Sequence, residues 1–446
     1  MNFRMYPMKR IIILLWLLLS TELMHAQESH PVSLNDAIGL ALKNRSEIRI
    51  QQLNSSVSEN EIRKVGSRRL PQLTSDVDVR YNSKLQTNVL PGEVFGPPGS
   101  PDKRVPFGTK YNTVWSLNLS LPIYNPTDAG DKKIAETQYQ YDQLNEKRSA
   151  IDIRQQVTES YFASLLWKEK LSLSQSNLRR TQALYTLAQG QLQQGSVLAY
   201  DVQRSRIDLE NALSENTRNS NSYRLALSDL FYKMGVDSIP GFSFRDDLTS
   251  LLSFYHEDIN DDGLDRVELQ QEKIKGTIHK MNIRKQRLLY IPTVTVYGNY
   301  SVQYLNNSFE PFTSSTWYPY NYVGIKASIP VFDGFQKKRT RAGYELQHEA
   351  TQLNIGKLTN DYNQEIRDAS TSIRNARADF ESQKRNLDLA NELYAIDSER
   401  FRHGAIRQTD LTTTYYLLQQ TQTNYLNAIY TYLLAAVKYK KATGVL

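Results

Sequence analysis

Two glycine–aspartate pairs invite a chemical reading first: Gly195…Asp201 and Gly404…Asp410, each spaced Gly-x5-Asp in a chain of 446 residues. A glycine ending one helix and a carboxylate opening the next form a hairpin turn. The glycine takes the left-handed conformation, and the carboxylate accepts from orphan backbone N–H groups. The same carboxylates can also present charge to a passing solute, and both readings stand. Other chemistry is missing. Gly190 and Gly195 have phosphate-loop spacing, but Ser196 stands where that loop needs lysine. Asp258, Asn260, Asp262 and Gly263 resemble half a calcium loop, yet position twelve is Leu269 and Glu268 falls one residue early. That stretch reads as a turn before a helix starting near Asp265. There is no cysteine, and the six histidines form no i, i+3 or i, i+4 pair. Disulfides, thiolate chemistry, an N-terminal lipidated cysteine and a histidine metal site are therefore not expected. Neither G-x-S-x-G nor H-E-x-x-H occurs, so the expectation is no enzyme and no cofactor.

The elements that position these pairs come from a tandem duplication. Ile62-Arg63-Lys64 followed by Pro71 is matched by Ile283-Arg284-Lys285 followed by Pro292, an offset of 221. Pro122 matches Pro330 at 208; Gly195, Asp201 and Gly235 match Gly404, Asp410 and Gly444 at 209. The single jump, of 13, lies between Pro71 and Pro122, where the first copy carries a longer loop. Fixed-period similarity marks repeated structural units. Each copy reads as helix, strand, strand and helical hairpin. The first copy spans 27–239, with strands near 71–83 and 112–124 and a hairpin over 130–235. The second spans 263–446, with strands near 291–304 and 319–331 and a hairpin over 335–443. Residues 240–262 connect them. Ser33 is an N-cap with Asp36 in the first turn, opening one helix over 33–69. Residues 131–193 form a helix of ~60 residues, on the order of 90 Å long. The helices near 33–69 and 199–234 are each about half that, so each copy supplies two rods of equal length.

Residues 1–26 stand apart. Arg4, Lys9 and Arg10 precede an apolar run from Ile11 to Leu19, and Met24-His25-Ala26 offers a cleavage site, the layout of a signal peptide. Its removal takes three positive charges and one negative, so a net charge of +7 becomes +5. Charge this mild selects no partner, and for an exported chain a nucleic-acid role is not expected. No later stretch is apolar enough for a membrane helix. A bilayer is open to this chain only through strands in a closed barrel.

The four strands alternate. Leu73, Ser75, Val77, Val79 and Tyr81 oppose Thr74, Asp76, Asp78 and Arg80; Trp115, Leu117, Leu119 and Leu121 oppose Ser116, Asn118 and Ser120. Val294, Val296, Tyr300, Val302 and Tyr304 oppose Thr293, Thr295, Asn299, Ser301 and Gln303. Val323, Ile325, Ala327 and Ile329 oppose Gly324, Lys326 and Ser328. One apolar and one polar face at period 2 describes a barrel crossing. Tyr81, Trp115, Tyr304, Trp317, Tyr320 and Tyr322 gather at the loop side as an interfacial girdle. A polar, Pro/Gly-rich loop follows Pro91. Basic clusters such as Arg68-Arg69, Lys132-Lys133 and Lys337-Lys338-Arg339 mark the other ends, where anionic headgroups would lie. Four strands close nothing, and open edges are not tolerated in lipid, so the chain must associate. Three copies give twelve strands and a hollow duct, which the polar inward faces favour.

In the order and duplication of these motifs the chain resembles the TolC family of outer-membrane efflux proteins. The resemblance runs from Ser33-Leu34-Asn35-Asp36-Ala37 to Gly444. It rests on the paired Gly-x5-Asp motifs, the pre-strand prolines Pro71 and Pro292, and the strand ends Leu121-Pro122 and Ile329-Pro330. It implies an α+β membrane fold: a homotrimer with four strands per chain in a 12-stranded transmembrane β-barrel, above a long α-helical barrel. It implies a passive conduit of a tripartite efflux or type I secretion system, located in the outer membrane and extending into the periplasm. Its partners would be a periplasmic adaptor and an inner-membrane RND or ABC-type pump. Residues 240–262 would lie at the equator of the α-barrel. The hairpin tips would close the periplasmic entrance, with Gly195 and Gly404 at the turns. Asp410 matches the first carboxylate of an acidic ring, and Thr413 stands where some members carry a second. Asp201 matches a latch position. Arg402 and Arg407 are candidate partners for it, although Ile406 occupies the usual arginine position. Two other classes are weighed against this one. A periplasmic adaptor would have one hairpin between compact Gly-rich β-domains. A coiled-coil envelope protein would lack the aromatic girdle.

Overall fold

The computed structural model describes residues 30–94, 96–254, 266–310, 312 and 317–446. The signal peptide and the half calcium loop at Asp258–Gly263 lie outside the described residues. The elements in chain order are β1 (His30–Val32), α1 (Leu34–Asn44), α2 (Ser46–Ser67), β2 (Gln72–Tyr81), β3 (Gln86–Leu90), β4 (Lys103–Phe107), β5 (Tyr111–Tyr124), α3 (Asp128–Gln193) and α4 (Ala199–Met234). They continue with β6 (Phe242–Phe244), α5 (Leu248–Phe254), α6 (Val267–Leu288), β7 (Thr293–Asn306), β8 (Trp317–Ser328), α7 (Gln336–Arg402) and α8 (Gln408–Ala442). The chain divides into two compact units, which share the long helices α3 and α7.

One unit takes residues 1–53, 143–270 and 355–446. Its core is a set of helix faces that put aliphatic and small residues inward. Ala37 and Ala41 of α1, Ile153, Val157, Tyr161, Phe162 and Leu165 of α3, Leu230 and Met234 of α4, and Ile429, Leu433 and Val437 of α8 are all buried together. Their spacings of three, four and eight are those of one helical stripe. A second cluster packs Ile366, Ala369, Ile373 and Ala376 of α7 against Tyr432, Ala435, Ala436 and Tyr439 of α8. The expected single helix over 33–69 is two helices. Ser33 and Asp36 form the capping box of α1 as the sequence suggests. The chain then leaves helical geometry at Arg45 (φ −71°, ψ 129°) before Ser46 restarts it. Arg45 donates to Gln156 at 3.0 Å, and the end of α1 approaches Gly235 so closely that an added Cβ would sit 3.1 Å from the Asn44 Cβ. The connector between the copies also differs from a plain linker. Its β6 pairs in parallel with β1, His30 opposite Phe242 and Val32 opposite Phe244.

The other unit takes residues 54–142 and 271–354 and carries the sheet, ordered β2-β5-β7-β8 and antiparallel throughout. Val77 opposes Trp115, Trp115 opposes Val302, and Leu121 opposes Val296, which opposes Ile325, so one face is apolar across all four strands. In the single chain that face is bare: Val77 is 66% exposed, Val323 82% and Ile325 72%. The loop after Pro91 is not irregular throughout; β3 and β4 form a hairpin of their own. Asp128 and Asp131 open α3, where an N-terminus favours carboxylates. They gather Arg69 (3.5 Å), Arg68 (3.3 Å) and Lys285 (2.7 Å). Those three cations therefore face internal carboxylates as well as any headgroup. Among the described residues no helix is long and apolar enough to cross a membrane.

Candidate functional site

The two hairpin turns repeat each other bond for bond. Gly195 (φ 70°) donates to the Leu192 carbonyl at 3.0 Å and Ser196 to Gln191 at 2.9 Å; Gly404 (φ 72°) donates to Phe401 at 2.9 Å and Ala405 to Arg400 at 2.8 Å. This pair of bonds closes a helix through a left-handed glycine. The next helix opens with the carboxylate. The Leu198 N–H donates to Asp201 Oδ2 and the Arg407 N–H to Asp410 Oδ2, both at 3.2 Å. Asp201 and Asp410 therefore cap α4 and α8.

The turns are neighbours in space. A cavity of about 280 Å³ is lined by Ala188, Val197, Asp201, Arg204, Asp208, Arg407 and Thr412, among others. It joins two carboxylates and two guanidinium groups from both hairpins. Of the two expected partners of Asp201, Arg407 reaches this cavity and Arg402 does not. Arg402 instead pairs with Glu399, one turn back in its own helix, at 2.5 Å. The Thr413 hydroxyl is turned to its own backbone, donating to the Thr409 carbonyl at 3.0 Å. Arg204 and Asp208 escaped the sequence reading. Their spacing from Asp201, three and seven residues, puts them on one face of α4 and was the available signal. Behind the cavity, the Tyr416 phenol bonds to Asp208, and burial, with that charge, pushes its pKa up. The Arg180 guanidinium sits 3.2 Å from the Tyr415 ring centroid. The Thr414 hydroxyl donates to buried Asp397 at 2.6 Å, tying α8 to α7.

The expected girdle divides by face. Tyr81, Trp115 and Trp317 share the apolar face, with Trp115 donating to Ser75 at 3.0 Å and Tyr81 5.0 Å from Tyr111. Tyr320 opposes Ser301 and Tyr322 opposes Asn299, so both belong to the polar face, along with Tyr318 opposite Gln303. Strand parity decides this, because residues directly opposite share a face. Tyr304 lies on the apolar side but is fully buried. It donates to the Ser308 carbonyl at 2.6 Å and accepts from the Glu310 N–H at 2.6 Å, clamping the loop that leaves β7. Two histidines invisible as a sequence pair, His279 of α6 and His348 of α7, interact electrostatically, and each has a buried Nδ1 without a partner. Among the described residues no group of three or more acidic or histidine side chains is placed to hold a metal.

The sequence matches the family profile described as outer membrane efflux protein over residues 37–236 and 267–445. The chain belongs to the outer membrane efflux protein family. A curated relative, the probable outer membrane lipoprotein SilC of Salmonella typhimurium, is 22% identical over 411 residues, covering 85% of this chain and 81% of SilC. The fold is shared with the open state of the outer-membrane channel MtrE of Neisseria gonorrhoeae: TM-score 0.69, 16% identity, 92% of this chain and 88% of that one. It is also shared with VceC of Vibrio cholerae: TM-score 0.67, 14% identity, 92% and 96%. The efflux protein is thus an outer-membrane channel and not an enzyme. Its four strands and long helices share the fold of these channels.

Proposed function

We propose that the two hairpin turns form the periplasmic gate of this efflux channel and that the charges between them hold it closed. The observation carrying this reading is the single cavity that brings Asp201, Arg204 and Asp208 of one hairpin against Arg407 of the other. Opposite charges lining one cleft attract, and because Asp201, Arg204 and Arg407 are exposed that attraction weakens with salt. Splaying the turns separates them, so the closed arrangement is favoured until a partner supplies compensating contacts. Asp410 then contributes charge to the entrance in addition to its cap. Movement through the duct is passive, driven by either an RND or an ABC-type pump, since the chain carries no nucleotide-binding motif of its own.

Asparagine separates the two roles of these carboxylates. Its amide oxygen still accepts the Leu198 or Arg407 N–H, so the cap survives while the charge goes. In a planar bilayer, Asp201→Asn is expected to raise open probability and Asp410→Asn to weaken block by multivalent cations, with helix content unchanged in both. Conductance and block identical to the parent in both variants would sink the gate reading.

A further inference from the structure

The outermost strands of the sheet, β2 and β8, each leave one edge unpaired. Every pairing between them is antiparallel, so β2 and β8 run in opposite senses. In a closed ring of three, β8 of one copy must therefore lie antiparallel to β2 of the next. That fixes which segments meet below the strands. The residues after Ser328 come beside the residues before the neighbour's Gln72.

Both segments carry bare apolar side chains, Leu70 beside Arg68 and Arg69 in the one before β2. After β8, Val331 is 92% exposed, Phe332 75% and Phe335 57%; before β2, Leu70 is 60% exposed. Phe332 and Phe335 stand edge to face at 5.5 Å. With Tyr290 and the stems of Lys337 and Arg341 they line a cleft of about 650 Å³. Bare apolar residues continue along the helices away from the strands: Val57 of α2 is exposed, as are Leu346 and Leu353 of α7. At 1.5 Å per residue, Val57 lies about 20 Å beyond Leu70, away from the strands, while Leu346 and Leu353 lie about 16 Å and 27 Å beyond Phe335 in the same direction. Val57 of one copy thus falls between the two leucines of the next. Bare aromatic and aliphatic side chains in matching order on two surfaces are what a protein interface covers.

We propose that this cleft is the seat of the neighbouring copy: the neighbour's Leu70 enters the pocket of Tyr290, Phe332 and Phe335, and its Val57 rests on the Leu346–Leu353 stripe. The partner copy completes a site that one chain leaves open, and the junction between barrel and helices is thereby locked across protomers. The inference rests on the trimeric assembly of the channel.

The absence of native cysteine makes the test direct. In Leu70→Cys/Phe332→Cys protein, purified in detergent and mildly oxidised, dimer and trimer bands are expected on a denaturing non-reducing gel, collapsing on reduction. Co-expressed single variants should give dimer only, and each single variant alone should give monomer. Val57→Cys/Leu346→Cys provides a second pair should the first assemble poorly. An internal disulfide, or monomer alone in both pairs, overturns the seat. Glutaraldehyde treatment of the same preparation separates the causes. Trimer without disulfide sinks only the seat, whereas no trimer sinks the assembly with it. Maleimide labelling of the Phe332→Cys single variant that rises only on removing phospholipid would assign the cleft to lipid and likewise overturn the proposal.

Discussion

Tyr161→Phe tests how the segment joining the two halves of the chain is tied to the helices. Tyr161 is fully buried in α3, and its hydroxyl lies 2.9 Å from the Val32 carbonyl and 3.0 Å from Asp246 Oδ2. Its ring meets Phe244 edge to face at 5.2 Å. Burial, reinforced by the Asp246 charge, pushes its pKa up, so it remains a donor at any physiological pH. Phenylalanine keeps the ring and removes only the hydroxyl. The Val32 carbonyl retains the Arg245 N–H at 3.1 Å, and Asp246 retains the Leu34 N–H at 2.8 Å. Neither acceptor is orphaned, and the loss is that of one bond to a charged group, about 2 kcal/mol. At roughly 2 °C per kcal/mol for a large folded body, the melting midpoint falls by about 4 °C. Tyr161→Leu loses the ring contact as well and should cost about 3–5 kcal/mol. Thermal melts of detergent-solubilised protein, followed by circular dichroism, distinguish the two. A phenylalanine variant as stable as the parent, or as weak as the leucine variant, would refute the assignment of stability to the hydroxyl.

Gly235→Ala should destabilise by more than the ~1 kcal/mol expected at an unobstructed left-handed glycine, because φ is 69° and the new Cβ would also meet Asn44 at 3.1 Å. Gly404→Ala, with φ 72° and open space around it, should cost about that smaller amount, and denaturant midpoints ranking the two the other way would contradict the packing argument. Thr414→Val removes the donor to buried Asp397 and should cost about 1–3 kcal/mol, read as earlier proteolysis near the α7–α8 turn; an unchanged cleavage rate would count against the tie. His279 has its pKa lowered, chiefly by burial and then by Lys275 and His348, with Glu272 opposing. The unfolded chain then binds more protons as pH falls through about 6.5, so stability drops there and levels off below the folded pKa. His279→Asn should lose part of that pH dependence, and a melting difference from the parent that is constant between about pH 8 and 5.5 would contradict it.

Local chemistry was legible wherever it is carried by neighbours in the chain. Period-2 alternation marked the four strands, because a pleated strand facing two solvents must sort its side chains by parity. Glycine, with no Cβ to oppose a left-handed backbone, marked the turns at Gly195 and Gly404, and the carboxylate six residues later marked the next helix start. The break at Arg45 was not legible, since nothing within Asn44-Arg45-Ser46 forbids a continuous helix; the contact with Gly235, nearly two hundred residues away, accompanies it. Likewise no local signal pairs β1 with β6, or Tyr161 with Asp246, or His279 with His348. Tyr320 and Tyr322 share the parity of Gly324 and Lys326 and so the polar face, and the register against Ser301 and Asn299 shows what they meet there. Arg204 and Asp208 show the same division at the hairpin turns. Helical spacing puts them on one face, but only packing of one hairpin against the other decides that this face meets Arg407. Spacing along a chain sets which side chains can share a surface, and the choice among such surfaces is made by contacts whose members are far apart in sequence.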